Sequence, residues 1–98
     1  MEIIGRTFLF EYEAESYRIE VLDGTTVQWT QTKGPEEGKT DIERYILSRL
    51  GDRSVAITWI EADGLGLTNI LDFEKLSVTT HANVGRDVFE NAGKLVVV

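Results

Sequence analysis

The 98-residue chain contains no cysteine. That excludes disulfides, thiolate nucleophiles and cysteine-ligated metals, and with them the small disulfide-stapled scaffolds. There is one histidine, His81. A lone histidine without partners does not build a metal centre, so no metal is expected. No apolar run reaches the roughly 18 residues that a spanning helix needs. The N-terminus lacks a charged segment leading into an apolar one, so no signal peptide is expected and the cytoplasm is the expected compartment. Basic residues are scarce: 10 Lys and Arg face 17 Asp and Glu, for a net charge of −7. Phosphate-rich partners need a surplus of Lys and Arg on one face, so neither nucleic acid nor an anionic membrane is expected as a partner. No glycine-rich phosphate loop and no Ser/His/Asp set occurs, and no cofactor is expected.

What is present points to strands. The length bounds a single domain over 1–98. Nine glycines and one proline punctuate the chain. Turn signals fall at Asp23-Gly24, Lys33-Gly34-Pro35, Gly51-Asp52, Asp63-Gly64 and Ala92-Gly93. Their separation, roughly ten to sixteen residues, suits short strands joined by hairpins. Between the turns the chain alternates. Residues 6–13 place Phe8, Phe10 and Tyr12 on one face, with Leu9 an exception on the other. Residues 16–22 alternate Tyr17, Ile19 and Val21 with Arg18 and Glu20. Residues 25–31 place Val27 and Trp29 against Thr26, Gln28 and Thr30. This is period two with one apolar face. Residues 33–39 form a polar loop, either a barrel rim or a plain connection.

Residues 40–50 allow two readings. Thr40-Asp41-Ile42-Glu43 fits a capping box, with Ile42, Tyr45, Ile46 and Leu50 at helical spacing. Alternatively, 43–50 is a strand pairing with 54–62 across Gly51-Asp52. Residues 53–62 then carry Val55, Ile57, Trp59 and Glu61 on one face, and 66–73 carry Leu67, Asn69, Leu71 and Phe73. A short loop through Gly64 sets Glu61 opposite Leu67, Trp59 opposite Asn69 and Ile57 opposite Leu71. Leu76, Val78 and Thr80 of residues 76–83 share that face, while His81 points outward opposite Thr68. Residues 86–90 and 94–98 supply the last strand or two. Val96, Val97 and Val98 would aggregate as an open edge, so they are expected to pair with 6–13 and close the sheet. The expected fold is all-β: a small antiparallel up-and-down barrel of about eight strands, wide enough for side chains and one small ligand.

With the strands laid out, the chain resembles two groups of small lipocalin-like (calycin) barrels. One is the MoaF-like family, by Trp-x-Glu-x-x-Gly at 59–64 and then Leu71-Asp72-Phe73. The other, more distant, is the phenolic acid decarboxylase family. There a similar Trp-x-Glu hairpin occurs, and the stretches at 5–12 and 17–20 look alike. In both families the segment equivalent to 43–50 looks like a strand, which favours the strand reading here. The decarboxylase resemblance implies a barrel carboxylate as proton donor, with two tyrosines and an arginine holding the substrate. Glu61 falls at the acid and Tyr12 at one tyrosine. The other tyrosine position is Phe10 and the arginine position is Thr30, so two of the four roles are unfilled.

Glu61 is the candidate catalytic residue, since burial would raise its pKa toward neutrality. Tyr12, Tyr17, Trp29, Trp59 and Asn69 are the candidate ligand-binding residues, because they share the apolar face. Arg44 joins them as a partner for Glu61 if the turn at Gly51-Asp52 has two residues; with three, Tyr45 takes its place. The leading function is binding of a small hydrophobic or aromatic molecule. The alternatives are a cofactor-free lyase or isomerase using Glu61, and a fully packed structural module. Outward Leu9, Leu22, Ala56, Ile60 and Ile70 would form a homodimer face if contiguous, and are ordinary surface if scattered.

Overall fold

The computed structural model describes residues 2–98. It contains eight strands: β1 (Thr7–Glu11), β2 (Ser16–Val21), β3 (Thr26–Lys33), β4 (Thr40–Gly51), β5 (Ser54–Ile60), β6 (Gly66–Asp72), β7 (Ser77–Val84) and β8 (Asp87–Val97). Each pairs antiparallel with the next, and β8 returns to β1 to close the barrel in up-and-down order. Val96 and Val97 pair with Leu9 and Phe8, so the C-terminal valines do close the sheet. Among the described residues no helix is long and apolar enough to cross a membrane.

Alternation decides which side chains fill the lumen. Phe8, Ile19, Val21, Val27, Val55, Ile57, Leu71, Val78 and Leu95 point inward and are buried. Ile3, ahead of β1, is also buried and belongs to the same core. Arg6 and Gly5 anchor that N-terminal turn, through Arg6 N–H to the Ile3 carbonyl and Gly5 N–H to the Val21 carbonyl. The motif at 71–73 has a structural role at this end. Leu71 is core, the Phe73 ring packs 5.8 Å from Phe8, and Asp72 Oδ1 accepts from the Glu74 and Lys75 N–H groups at 2.9 Å each.

Residues 40–51 are strand, as the family resemblance favours. The helical spacing there is an ambiguity of arithmetic, since a step of four is also two strand periods. Ile42, Ile46 and Leu50 therefore share one face in either structure. That face is outward: Ile46 is 69 % exposed. Glu43, Tyr45 and Leu47 take the inward positions, with Glu43 and Tyr45 buried. Ile60 and Leu22 are also exposed, whereas Leu9, Ala56 and Ile70 are half-buried.

One register that the sequence left open is decided, and one differs from the sequence reading. Arg44 points outward and is exposed. The β4–β5 ladder slips between Arg49 and Gly51, and this sets Tyr45 rather than Arg44 opposite Trp59. The β5–β6 turn is longer than expected, spanning 61–65 and closed by Glu61 N–H to the Leu65 carbonyl at 2.8 Å. Trp59 therefore pairs with Leu67, Ile57 with Asn69 and Val55 with Leu71. A slip of two positions leaves every side chain on its expected face. The expected β6–β7 pairs hold, Leu71 with Val78, Asn69 with Thr80 and Thr68 with His81. The last segment is one continuous strand rather than two.

Candidate functional site: a half-hollow barrel

The barrel is filled at the Ile3 end and hollow at the other. The hollow end holds a cavity of about 390 Å³. Phe10, Ile19, Trp29, Trp59 and Leu67 form its apolar wall. Tyr12, Tyr17, Gln31, Asn69 and Thr80 add polar atoms. Its mouth is rimmed by Glu15, by Glu36 and Lys39 of the loop after β3, and by Glu61, Asp63 and Leu65 of the β5–β6 turn. Phe89 and Asn91 reach the same mouth from the first half of β8, where Phe89 is 58 % exposed. The polar loop at 33–39 thus does rim the open end.

Three hydrogen-bonded groups build the wall. Asn69, only 2 % exposed, donates through Nδ2 to the Ile57 carbonyl at 3.2 Å and accepts the Thr80 hydroxyl at 2.9 Å. Thr80 in turn bonds to the Tyr12 hydroxyl. Since the single Thr80 proton goes to Asn69, Tyr12 is the donor in that bond. This chain satisfies the buried amide without Glu61. Burial pushes the Tyr12 phenol up to about 12 against the bond to Thr80.

The second group is centred on buried Gln31. Its Nε2 donates to Glu15 Oε2 and to Tyr17 Oη, both at 3.1 Å, and its Oε1 accepts from the Glu36 N–H. Tyr17 donates its own proton to Glu15 at 2.8 Å. Burial, and then the Glu15 carboxylate, push the Tyr17 phenol well above its ordinary range. Gln31 therefore ties the rim loop to the wall. Gly34, at a φ of 130°, lets the loop pass: a Cβ there would lie 2.9 Å from Gln31 Oε1.

The third group pairs each tryptophan with a carboxylate. Trp29 Nε1 donates to buried Glu43 at 3.0 Å, and Trp59 Nε1 donates to half-buried Glu61 at 3.3 Å. Desolvation raises the Glu61 pKa above the usual carboxylate range. The Trp59 bond opposes this rise and the Glu43 charge adds to it. The rings meet edge-on, Tyr12 to Tyr17 at 6.2 Å and Tyr17 to Trp29 at 6.4 Å.

Of the residues picked from sequence, Tyr12, Tyr17, Trp29, Trp59, Glu61 and Asn69 converge on this cavity. Arg44 lies outside it, for the register reason given above. Thr30, at the decarboxylase arginine position, also lies on the outer side, where its hydroxyl bonds to Thr40 at 3.0 Å. His81 sits outside the lumen, 3.1 Å from Glu90. Gln31, Glu15 and Glu43 escaped the sequence reading. Gln31 and Glu43 do continue the inward parity of Val27–Trp29 and of Tyr45, which is the signal that could have found them. Among the described residues no cluster of His, Cys, Asp or Glu could hold a metal ion.

A closed eight-stranded antiparallel barrel, packed at one end and hollow at the other, is the architecture of a small calycin-like barrel. More particularly, the chain belongs to the MoaF-like family, whose profile matches residues 4–95. It is similar to the crystal structure of a "putative beta-lactamase" from Burkholderia vietnamiensis. The identity is 26 % over 100 % of this chain and 97 % of that one, with a TM-score of 0.91. No curated protein matches the sequence.

Proposed function

We propose that the protein binds a small molecule with an aromatic or apolar body in the hollow end of the barrel. The observation that carries this reading is the empty volume of about 390 Å³ walled by two tryptophans and open beside Glu61. That is a ligand-sized space, at the lower end of the usual range for such sites. A structural module packed throughout would have no such void, because protein interiors close to crystal-like density.

Catalysis by Glu61 is the weaker reading. The decarboxylase-like chemistry needs a second hydroxyl and a guanidinium for the substrate carboxylate. Phe10 supplies no hydroxyl, and Thr30 faces away from the lumen. The name of the Burkholderia protein points to lactam hydrolysis, but no serine lines the cavity here, so a seryl acyl-enzyme has no nucleophile.

Titration with N-phenyl-1-naphthylamine, a neutral apolar fluorophore, tests binding. Saturable fluorescence enhancement at one site per chain is expected. Leu67→Trp, which fills the cavity from β6, abolishes it while the barrel's circular dichroism persists. Enhancement that survives Leu67→Trp, or none in the parent, overturns the proposal. Hydroxycinnamic acids are expected to show no turnover.

A further inference from the structure

Resting on the binding reading above, we infer that the ligand of this cavity is an organic cation: an ammonium or amidinium group on an aromatic or apolar body. The site is the cavity itself; its hydrogen-bond polarity decides the class.

Most donors of the wall are engaged; among the described residues one N–H of Asn69 and the Asn91 amide at the mouth are left over. Tyr12 donates to Thr80, and Thr80 to Asn69. Tyr17 donates to Glu15, and Gln31 to Glu15 and Tyr17. Both indole N–H groups go to carboxylates, Trp29 to Glu43 and Trp59 to Glu61. Acceptors remain. Glu61 receives one bond through Oε2, and Glu15 receives both of its bonds through Oε2, which leaves Oε1 of each of these cavity-lining carboxylates to accept. A ligand that brings donors to these carboxylates is therefore favoured over one that brings acceptors.

Charge gives the same answer independently. The mouth carries Glu15, Glu36, Glu61 and Asp63 against Lys39, whose Nζ already lies 3.5 Å from Glu36. An anion entering would meet repulsion and find no free guanidinium or hydroxyl fork. A cation would meet carboxylates at the rim and the aromatic rings of Trp29, Trp59 and Tyr17 within, the residue types on which cation–π attraction operates. Charge-assisted bonds to carboxylates are also roughly twice as strong as neutral ones.

Three probes with one indole body separate the possibilities: tryptamine (ammonium), tryptophol (hydroxyl) and indole-3-propionate (carboxylate). Binding is read by calorimetry at neutral pH and by the indole N–H signals of Trp29 and Trp59 in 15N-labelled protein. Tryptamine is expected to bind about tenfold or more tighter than tryptophol. Indole-3-propionate is expected to be the weakest, and both indole signals are expected to move with tryptamine. Glu61→Gln is expected to remove most of the tryptamine preference over tryptophol. Glu15→Gln serves as the second variant if Glu61→Gln fails to fold. Equal affinities, or a preference for the acid, overturn the cation inference and leave small-molecule binding standing. So does failure of all three indoles when the naphthylamine probe binds. Failure of that probe as well overturns the binding reading itself.

Discussion

Glu61 carries its charge half-buried at the mouth of the barrel. Desolvation raises its folded-state pKa above the unfolded value, and the nearby Glu43 charge pushes the same way. Between those two values the folded chain binds more protons than the unfolded one. The Glu61 contribution to stability is therefore most favourable at low pH and falls as pH rises through the raised folded value. Glu61→Gln removes this dependence. Urea unfolding of parent and variant at about pH 3.5 and about pH 7 should show the variant gaining relative stability at the higher pH. An equal difference at both pH values would place Glu61 in solvent. The face of Glu61 was legible from the alternation through Val55, Ile57 and Trp59. Its partners were not. Glu43 sits in the one segment whose periodicity admits two structures. Gln31 is a single amide whose importance lies in tying the rim loop to the wall, a contact between segments that local pattern does not encode.

At the scale of the strand, inward and outward faces were readable and registers were not. A hairpin shifted by two residues preserves every face, so apolar-to-apolar matching cannot tell Trp59 opposite Asn69 from Trp59 opposite Leu67. A shift of one residue exchanges faces. That is why the slip between Arg49 and Gly51 decides between Arg44 and Tyr45, and why turn length alone left both open. The β1–β8 closure was legible from the C-terminal valines, but the device that lets the strands meet was not. Gly93 is inward-facing on β8, and a Cβ there would lie 2.7 Å from the Glu11 carbonyl oxygen and 2.8 Å from the Tyr12 ring. The backbone oxygen cannot move aside without disturbing the Glu11–Lys94 pair. Gly93→Ala is expected to destabilise the protein by about 1–3 kcal/mol, the range for overpacking a closed core. It should also displace Tyr12 from Thr80. Chemical denaturation measures the first effect and the Tyr12 ring signals the second; a neutral substitution would mean that the closure is looser than these distances.

Across the whole molecule, the division into a packed end and a hollow end predicts an asymmetry in what truncation does. Leu71 and Leu67 lie on the same face of β6, four residues apart, and the same chemical change can be made at both. Leu71 is completely buried beside Val55 and Val78, its partners on β5 and β7. Leu71→Ala leaves a void that rigid neighbours fill only in part, and is expected to cost about 2–5 kcal/mol. Leu67 is half-buried and already borders the cavity, so Leu67→Ala adds volume to a space that exists and opens outward. Its loss is limited to the area that Leu67 takes out of water, about 1 kcal/mol. The ligand side should invert this order. Leu67→Ala enlarges the binding space and should alter the affinity for N-phenyl-1-naphthylamine. Leu71→Ala, screened from that space by the packed end, should leave affinity unchanged under conditions where the variant stays folded. Denaturation midpoints and probe titrations on the two variants measure both orders. Equal stability losses would mean that the lumen closes around Leu67 in solution, and the hollow end would then be absent from the working state of the barrel.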